Sequence, residues 1–112
     1  RAALQAGERD KAVAHLRAAL AADPGWYPAR LRLADLLEEA GQKQEAEREL
    51  LEAVRLNPQL LEIYLRIGEL REAGGRLDEA IEIYRRSLQV NPNQPPVLKA
   101  LEDAIKKQKG AQ

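Results

Sequence analysis

Apolar residues recur along this chain at the three- and four-residue spacing of a single buried helical face, in segments broken by glycine or proline. Ala12, Val13, Leu16, Ala19 and Leu20 make the first clear stripe, predicting a helix over 8–22 that Pro24-Gly25 ends. Residues 1–6 read as the last turns of an earlier helix, stopped by Gly7 in the left-handed conformation that closes a helix C-terminus. A helix over 28–40 carries Leu31, Leu33, Leu36 and Leu37, with Pro28 placed in the first turn where no helical N–H partner is lost. After a turn at Gly41, Ala46, Leu50, Leu51, Ala53 and Val54 form the apolar face of a helix over 43–56. Ile63, Tyr64, Ile67, Gly68 and Leu70 mark the next helix, and Gly74-Gly75 the next turn. Leu77, Ala80, Ile81, Tyr84, Leu88 and Val90 then mark its partner, with Asp78 and Glu79 at the end of the helix dipole that favours acids. A last amphipathic helix begins at Pro95, places Val97, Leu98, Leu101 and Ile105 on one face, and ends among Lys106, Lys107 and Lys109.

These segments repeat in step. Gly7, Gly41 and Gly75 are 34 residues apart, and so are Ala12, Ala46 and Ala80, Leu16, Leu50 and Tyr84, and Pro24, Pro58 and Pro92. The small residues Ala19, Ala53 and Ser87 share the same step. A fixed period of this size is the mark of stacked helical hairpins, each burying its apolar face against its neighbours. The expected order is a partial repeat over 1–26, full repeats over 27–60 and 61–94, a capping helix over 95–109 and a tail over 110–112. Because the chain starts at Arg1, has no methionine and enters inside a helix, it is expected to be a piece of a longer protein.

Composition narrows the function more than the fold. The chain has 112 residues, the length of one domain. Its 45% apolar content is mostly Leu, Ala, Ile and Val with four aromatics, which favours helix throughout. A formal net charge of zero gives no general attraction to nucleic acid or to an anionic membrane. No apolar run approaches the roughly 18 residues of a membrane span. Without cysteine there is no disulfide or thiolate chemistry.

The residues that recur resemble the tetratricopeptide repeat (TPR) family, over nearly the whole chain. Counting repeats from Tyr27 and Leu61, the usual apolar residue at position 7 is Leu33 and Ile67, and the small one at position 8 is Ala34 and Gly68. Position 20 is Ala46 and Ala80, position 24 Leu50 and Tyr84, position 27 Ala53 and Ser87, and position 32 Pro58 and Pro92. Position 4, usually large, is Tyr64 in the second repeat but departs to Arg30 in the first, and position 11 departs to Arg71. The resemblance implies an all-α fold, a right-handed α-α superhelix of antiparallel helical hairpins. It also implies a non-catalytic scaffold that holds an extended peptide or a partner helix in a concave groove lined by the front helices.

The groove positions that the resemblance implies are Leu31, Arg32, Asp35 and Glu38 in the first repeat, Leu65, Arg66, Glu69 and Glu72 in the second, and Lys99 and Asp103 on the last helix. One TPR subclass clamps the C-terminal carboxylate of chaperone tails with basic residues and asparagine around these positions. Here Asp35, Glu69 and Asp103 would repel it by roughly a kcal/mol at a few ångströms, which argues against the clamp. Arg32 with Asp35, Arg66 with Glu69, and Lys99 with Asp103 have instead the spacing of neutralising pairs. Such a surface suits a mixed-charge, partly apolar segment, although exposed pairs of this kind also simply solvate a helix, at ~0.3–0.5 kcal/mol each.

Other chemistry finds no support. His15 is the single histidine, flanked by Ala14 and Leu16, and with no cysteine it cannot assemble a helical His/Cys metal site. Gly74-Gly75 lacks the context of a phosphate-binding loop. The glutamates from Glu45 to Glu52 are interleaved with Lys43, Arg48 and Arg55, as on a solvated face. No catalytic residue, metal or cofactor is therefore expected. Trp26 and Tyr27, beside Pro24-Gly25, are expected either to pack across the hairpin junction or to anchor an interface. Two further readings compete with peptide binding. Val13, Leu16 and Leu20 lack most of a covering front helix and would drive self-association into a homodimer. The chain would otherwise be the accessory domain of a larger enzyme.

Overall fold

The computed structural model describes residues 2–110, and among them it contains six α-helices and no strand. They are α1 (Ala2–Ala22), α2 (Tyr27–Glu39), α3 (Lys43–Leu56), α4 (Leu61–Ala73), α5 (Leu77–Val90) and α6 (Pro95–Gly110). The chain forms two compact units, Arg1–Asn57 and Pro58–Gln112. In the first, α2 packs against both α1 and α3. In the second, α4 pairs with α5, and α6 packs on α5 and touches α4.

Both hairpin turns follow one recipe. After α2, the Gly41 N–H donates to Glu38 O at 2.9 Å and the Gln42 N–H to Leu37 O at 2.8 Å. After α4, the Gly75 N–H donates to Glu72 O at 2.9 Å and the Arg76 N–H to Arg71 O at 2.8 Å. These are the paired bonds of a Schellman motif, which need a left-handed residue between helix and exit. Gly41 (φ 80°) and Gly75 (φ 76°) supply it. The far ends of α3 and α5 are closed differently. Asn57 and Asn91 precede proline, which pushes them out of the helical region, and both are extended (ψ 91° and 108°). Each N–H still reaches back four residues, to Ala53 O and Ser87 O.

Gly7 does not follow this recipe. The expected break there is wrong: α1 runs through Gly7 without interruption and without a positive φ. A mid-helix glycine costs only ~1 kcal/mol relative to alanine. The flanking Ala, Leu, Gln, Glu and Arg are good helix formers. Gly110, expected in a tail, is the last residue of α6; residues 1, 111 and 112 lie outside the described residues.

Many of the buried residues fall on repeat-equivalent positions, among them Ala46 and Ala80, Leu50 and Tyr84, and Ala53 and Ser87. Ala34, Ala46, Leu50, Ala53 and Val54 are fully buried in the first unit, as are Ile67, Ala80, Tyr84 and Ser87 in the second. Gly68 lets Tyr84 in. A Cβ on Gly68 would sit 2.5 Å from Tyr84 Cζ and 2.8 Å from Cδ1, and closer still to Cε1. The first unit fills the equivalent positions with a larger and a smaller residue, Ala34 and Leu50.

Position 4 shows a second exchange. The Tyr64 hydroxyl donates to Pro58 O at 3.0 Å, and the Arg30 guanidinium donates to Pro24 O, also at 3.0 Å. Arg30 therefore keeps the hydrogen bond that a tyrosine makes at this place while giving up its ring. Its surroundings differ to match. Arg30 bonds Glu49 at 2.9 Å with both side chains less than a fifth exposed, whereas Arg86 lies over the Tyr64 ring, 5.9 Å from its centre. Glu52, at the position of Arg86, is held below the usual carboxylate range by its hydrogen bond from Arg55, with the charges of Arg55 and Arg30 adding to it.

The stripe predicted for α6 needs correcting. Leu98 is about half exposed, while Val97 and Ala104 are buried. Leu101 and Ile105 are half-buried as expected, so the stripe loses Leu98 and gains Ala104. Ile83 on α5, absent from the predicted stripe, is also buried.

Candidate partner-binding groove

The second unit gathers four of the expected groove residues around one cleft. Leu65 and Glu69 lie one helical turn apart on α4, and Lys99 and Asp103 one turn apart on α6. Together with Pro95, Pro96 and Ala100 they line an open, mostly apolar depression of about 520 Å³. Lys99 Nζ lies 3.4 Å from Asp103, the ion pair that the spacing suggests. Leu65 is half-buried and Glu69 exposed, so an apolar patch is edged by charge.

The α6 wall owes its placement to Gln94, which sequence reasoning missed. Its buried amide donates to Asn91 O at 2.7 Å, Ser87 O at 2.9 Å and Ser87 Oγ at 3.1 Å. Its backbone carbonyl accepts from the N–H groups of Val97 and Leu98 at 3.0 and 2.9 Å. Gln94 thus ends α5 and starts α6 with one residue. Ser87 is accordingly more than a small packing residue. The available signal was a pair of amide residues, Asn93 and Gln94, between Asn91-Pro92 and Pro95-Pro96, where two helix ends leave backbone groups to satisfy.

Glu72 has a different task from its neighbours on α4. It accepts a hydrogen bond from the buried Tyr84 hydroxyl and pairs with Lys107 Nζ at 3.1 Å. The side chain is mostly buried, at 18% exposure, and so joins α4, α5 and α6. Burial, then the Glu72 hydrogen bond and charge, push the Tyr84 phenol well above its ordinary pKa.

In the first unit Leu31 is half-buried on α2 and Arg32 is exposed. Arg32 lines a cleft of about 550 Å³ with Leu4, Arg9, Ala12, Leu36 and Glu39, between α1 and α2. Asp35, Glu38 and Arg66 each have interaction partners of their own. Of the residues expected on an open α1 face, Leu20 is buried, whereas Val13 and Leu16 are half-covered. Leu20 is therefore not available for self-association, because its own unit covers it. Trp26 is about half exposed at the start of α2, while Tyr27 is half-buried. No described helix is long and apolar enough to cross a membrane.

Comparison with known proteins agrees with this geometry. Two profiles described as tetratricopeptide repeat match residues 3–59 and 61–104. No curated protein matches the chain in sequence. Among solved structures, the first TPR of Spaghetti (RPAP3), bound to the HSP90 peptide SRMEEVD, is 25% identical with a TM-score of 0.72. That alignment covers 95% of this chain and 84% of the other. The type III secretion chaperone SycD of Yersinia enterocolitica, in complex with a peptide of the translocator YopD, is 19% identical with a TM-score of 0.75, over 94% and 86% of the two chains. A thermophilic TPR protein of Thermus thermophilus, TTC0263, is 27% identical with a TM-score of 0.71 over 88% of this chain, which spans 50% of its length. With the 34-residue step, the paired glycine turns and the small-on-large helix contacts pointing the same way, the chain belongs to the tetratricopeptide repeat family.

Proposed function

We propose that this chain is a non-catalytic interaction module that holds a segment of another protein, an extended peptide or a helix, against its front helices. The observation that carries this reading is the cleft between α4 and α6, where Leu65, Glu69, Lys99 and Asp103 meet around an apolar floor. A half-buried leucine edged by charges can bury a partner side chain and fix its orientation at once. The 25% identical TPR of Spaghetti, which holds a peptide, supports the same kind of use.

Leu65→Glu tests it. Leu65 is half-buried and lines the cleft, so a glutamate there can reach solvent and leave the fold intact while destroying the apolar floor. Partner segments retained by the unaltered protein are expected to bind the variant at least tenfold more weakly, by isothermal titration, with an unchanged far-UV circular dichroism spectrum. Equal affinity for both proteins would rule out this cleft as the binding surface.

A further inference from the structure

Resting on the groove reading, we infer that the α4–α6 cleft selects a segment carrying lysine or arginine beside an apolar side chain, and rejects an acidic tail. Charge complementarity is the first ground. Glu69 and Asp103 place two carboxylates on the lining against one ammonium, Lys99, leaving one negative charge in excess. Lys99 is already engaged with Asp103 at 3.4 Å, and among the described residues no other basic side chain lines the cleft.

The second ground is the way α6 begins. A helix N-terminus ordinarily offers free N–H groups to an anion. Here Pro95 and Pro96 sit in the cleft wall and have no N–H to offer. The next two N–H groups, of Val97 and Leu98, are both taken by Gln94 O. The positive end of α6 is therefore stripped of donors where an incoming carboxylate would need them. What remains is an apolar floor of Leu65, Ala100 and the two prolines, rimmed by acids. An aliphatic side chain fits the floor, and a neighbouring guanidinium or ammonium meets Glu69 and competes with Lys99 for Asp103.

Nitrogen-15 heteronuclear NMR on the whole 112-residue chain decides this, with two acetylated, amidated hexapeptides as probes. One alternates leucine with arginine and the other leucine with glutamate. The basic peptide is expected to shift the amides of Leu65, Glu69, Lys99 and Asp103 and to bind about fivefold or more tightly than the acidic one. Its affinity should fall about two- to fivefold in Glu69→Gln, and fall again as salt rises, since exposed charges are screened. Tighter binding of the acidic peptide at the same four amides would overturn the charge preference and leave the groove reading standing. Shifts confined to other residues, or none with either peptide at millimolar concentration, would overturn both.

Discussion

Replacing Gly68 with alanine is expected to destabilise the protein by about 3 kcal/mol, a cost at the upper end of that for overpacking a closed core. The new methyl group would lie within 2.8 Å of three ring carbons of Tyr84. A flexible side chain could swing away, but this ring is fully buried and its hydroxyl is tied to Glu72. The backbone of α4 must therefore move away from α5. Tyr84→Leu alone should cost about 2 kcal/mol, from the space left behind and the lost hydrogen bond. The informative protein carries both changes. Gly68→Ala with Tyr84→Leu reproduces the pair that the first unit uses at the same positions, Ala34 and Leu50, which are both fully buried. The double variant should cost no more than about 2 kcal/mol, less than the two single costs added, as expected for residues in direct contact. Urea midpoints followed by circular dichroism would give all three values. Additive costs would show that the two helices do not meet through this pair.

Ala104→Glu is expected to cost roughly 3–4 kcal/mol, because it forces a carboxylate into a site with no exposed surface and no room for a partner. Leu98→Glu, six residues earlier on the same helix, should change stability by less than about 0.5 kcal/mol, since Leu98 is half exposed. The contrast reports which face of α6 is covered. Thermal unfolding of the two variants side by side is sufficient. Equal losses, or a larger loss at Leu98, would mean that Leu98, and not Ala104, lies on the covered face of α6.

That second contrast also shows where reading the chain stopped short. Helix existence and order were legible because glycine and proline return in phase with the apolar stripes. Lys43–Leu56 agrees with the predicted limits residue for residue. The turns at Gly41 and Gly75 were legible too, since a left-handed residue between two long helices has few alternatives to glycine. Gly7 shares their phase but not their setting. α1 stays helical through it, without the positive φ that Gly41 and Gly75 adopt.

For α6, Leu98 was placed on the stripe and Ala104 left off it, whereas close helix contact favours the small Ala104. Arg30 looked like a departure because the family pattern is written in terms of bulk. Its hydrogen bond to Pro24 O shows that the position also needs a donor. The groove positions were legible only as a helix stripe. Four of them meet at a cleft, but Glu72 does not join them, because Tyr84 and Lys107 reach it from two other helices. Such long-range partners leave no trace in local spacing.

The most direct test of the account is to place a photo-crosslinking amino acid at position 65, in the α4–α6 cleft, and separately at Arg85, an exposed residue of α5 beside a different cleft. After irradiation in the presence of the bound partner, mass spectrometry should find position 65 joined to one linear segment of that partner, with little product from position 85. Efficient crosslinking at position 85 and none at 65 would place the partner on another face and contradict the account.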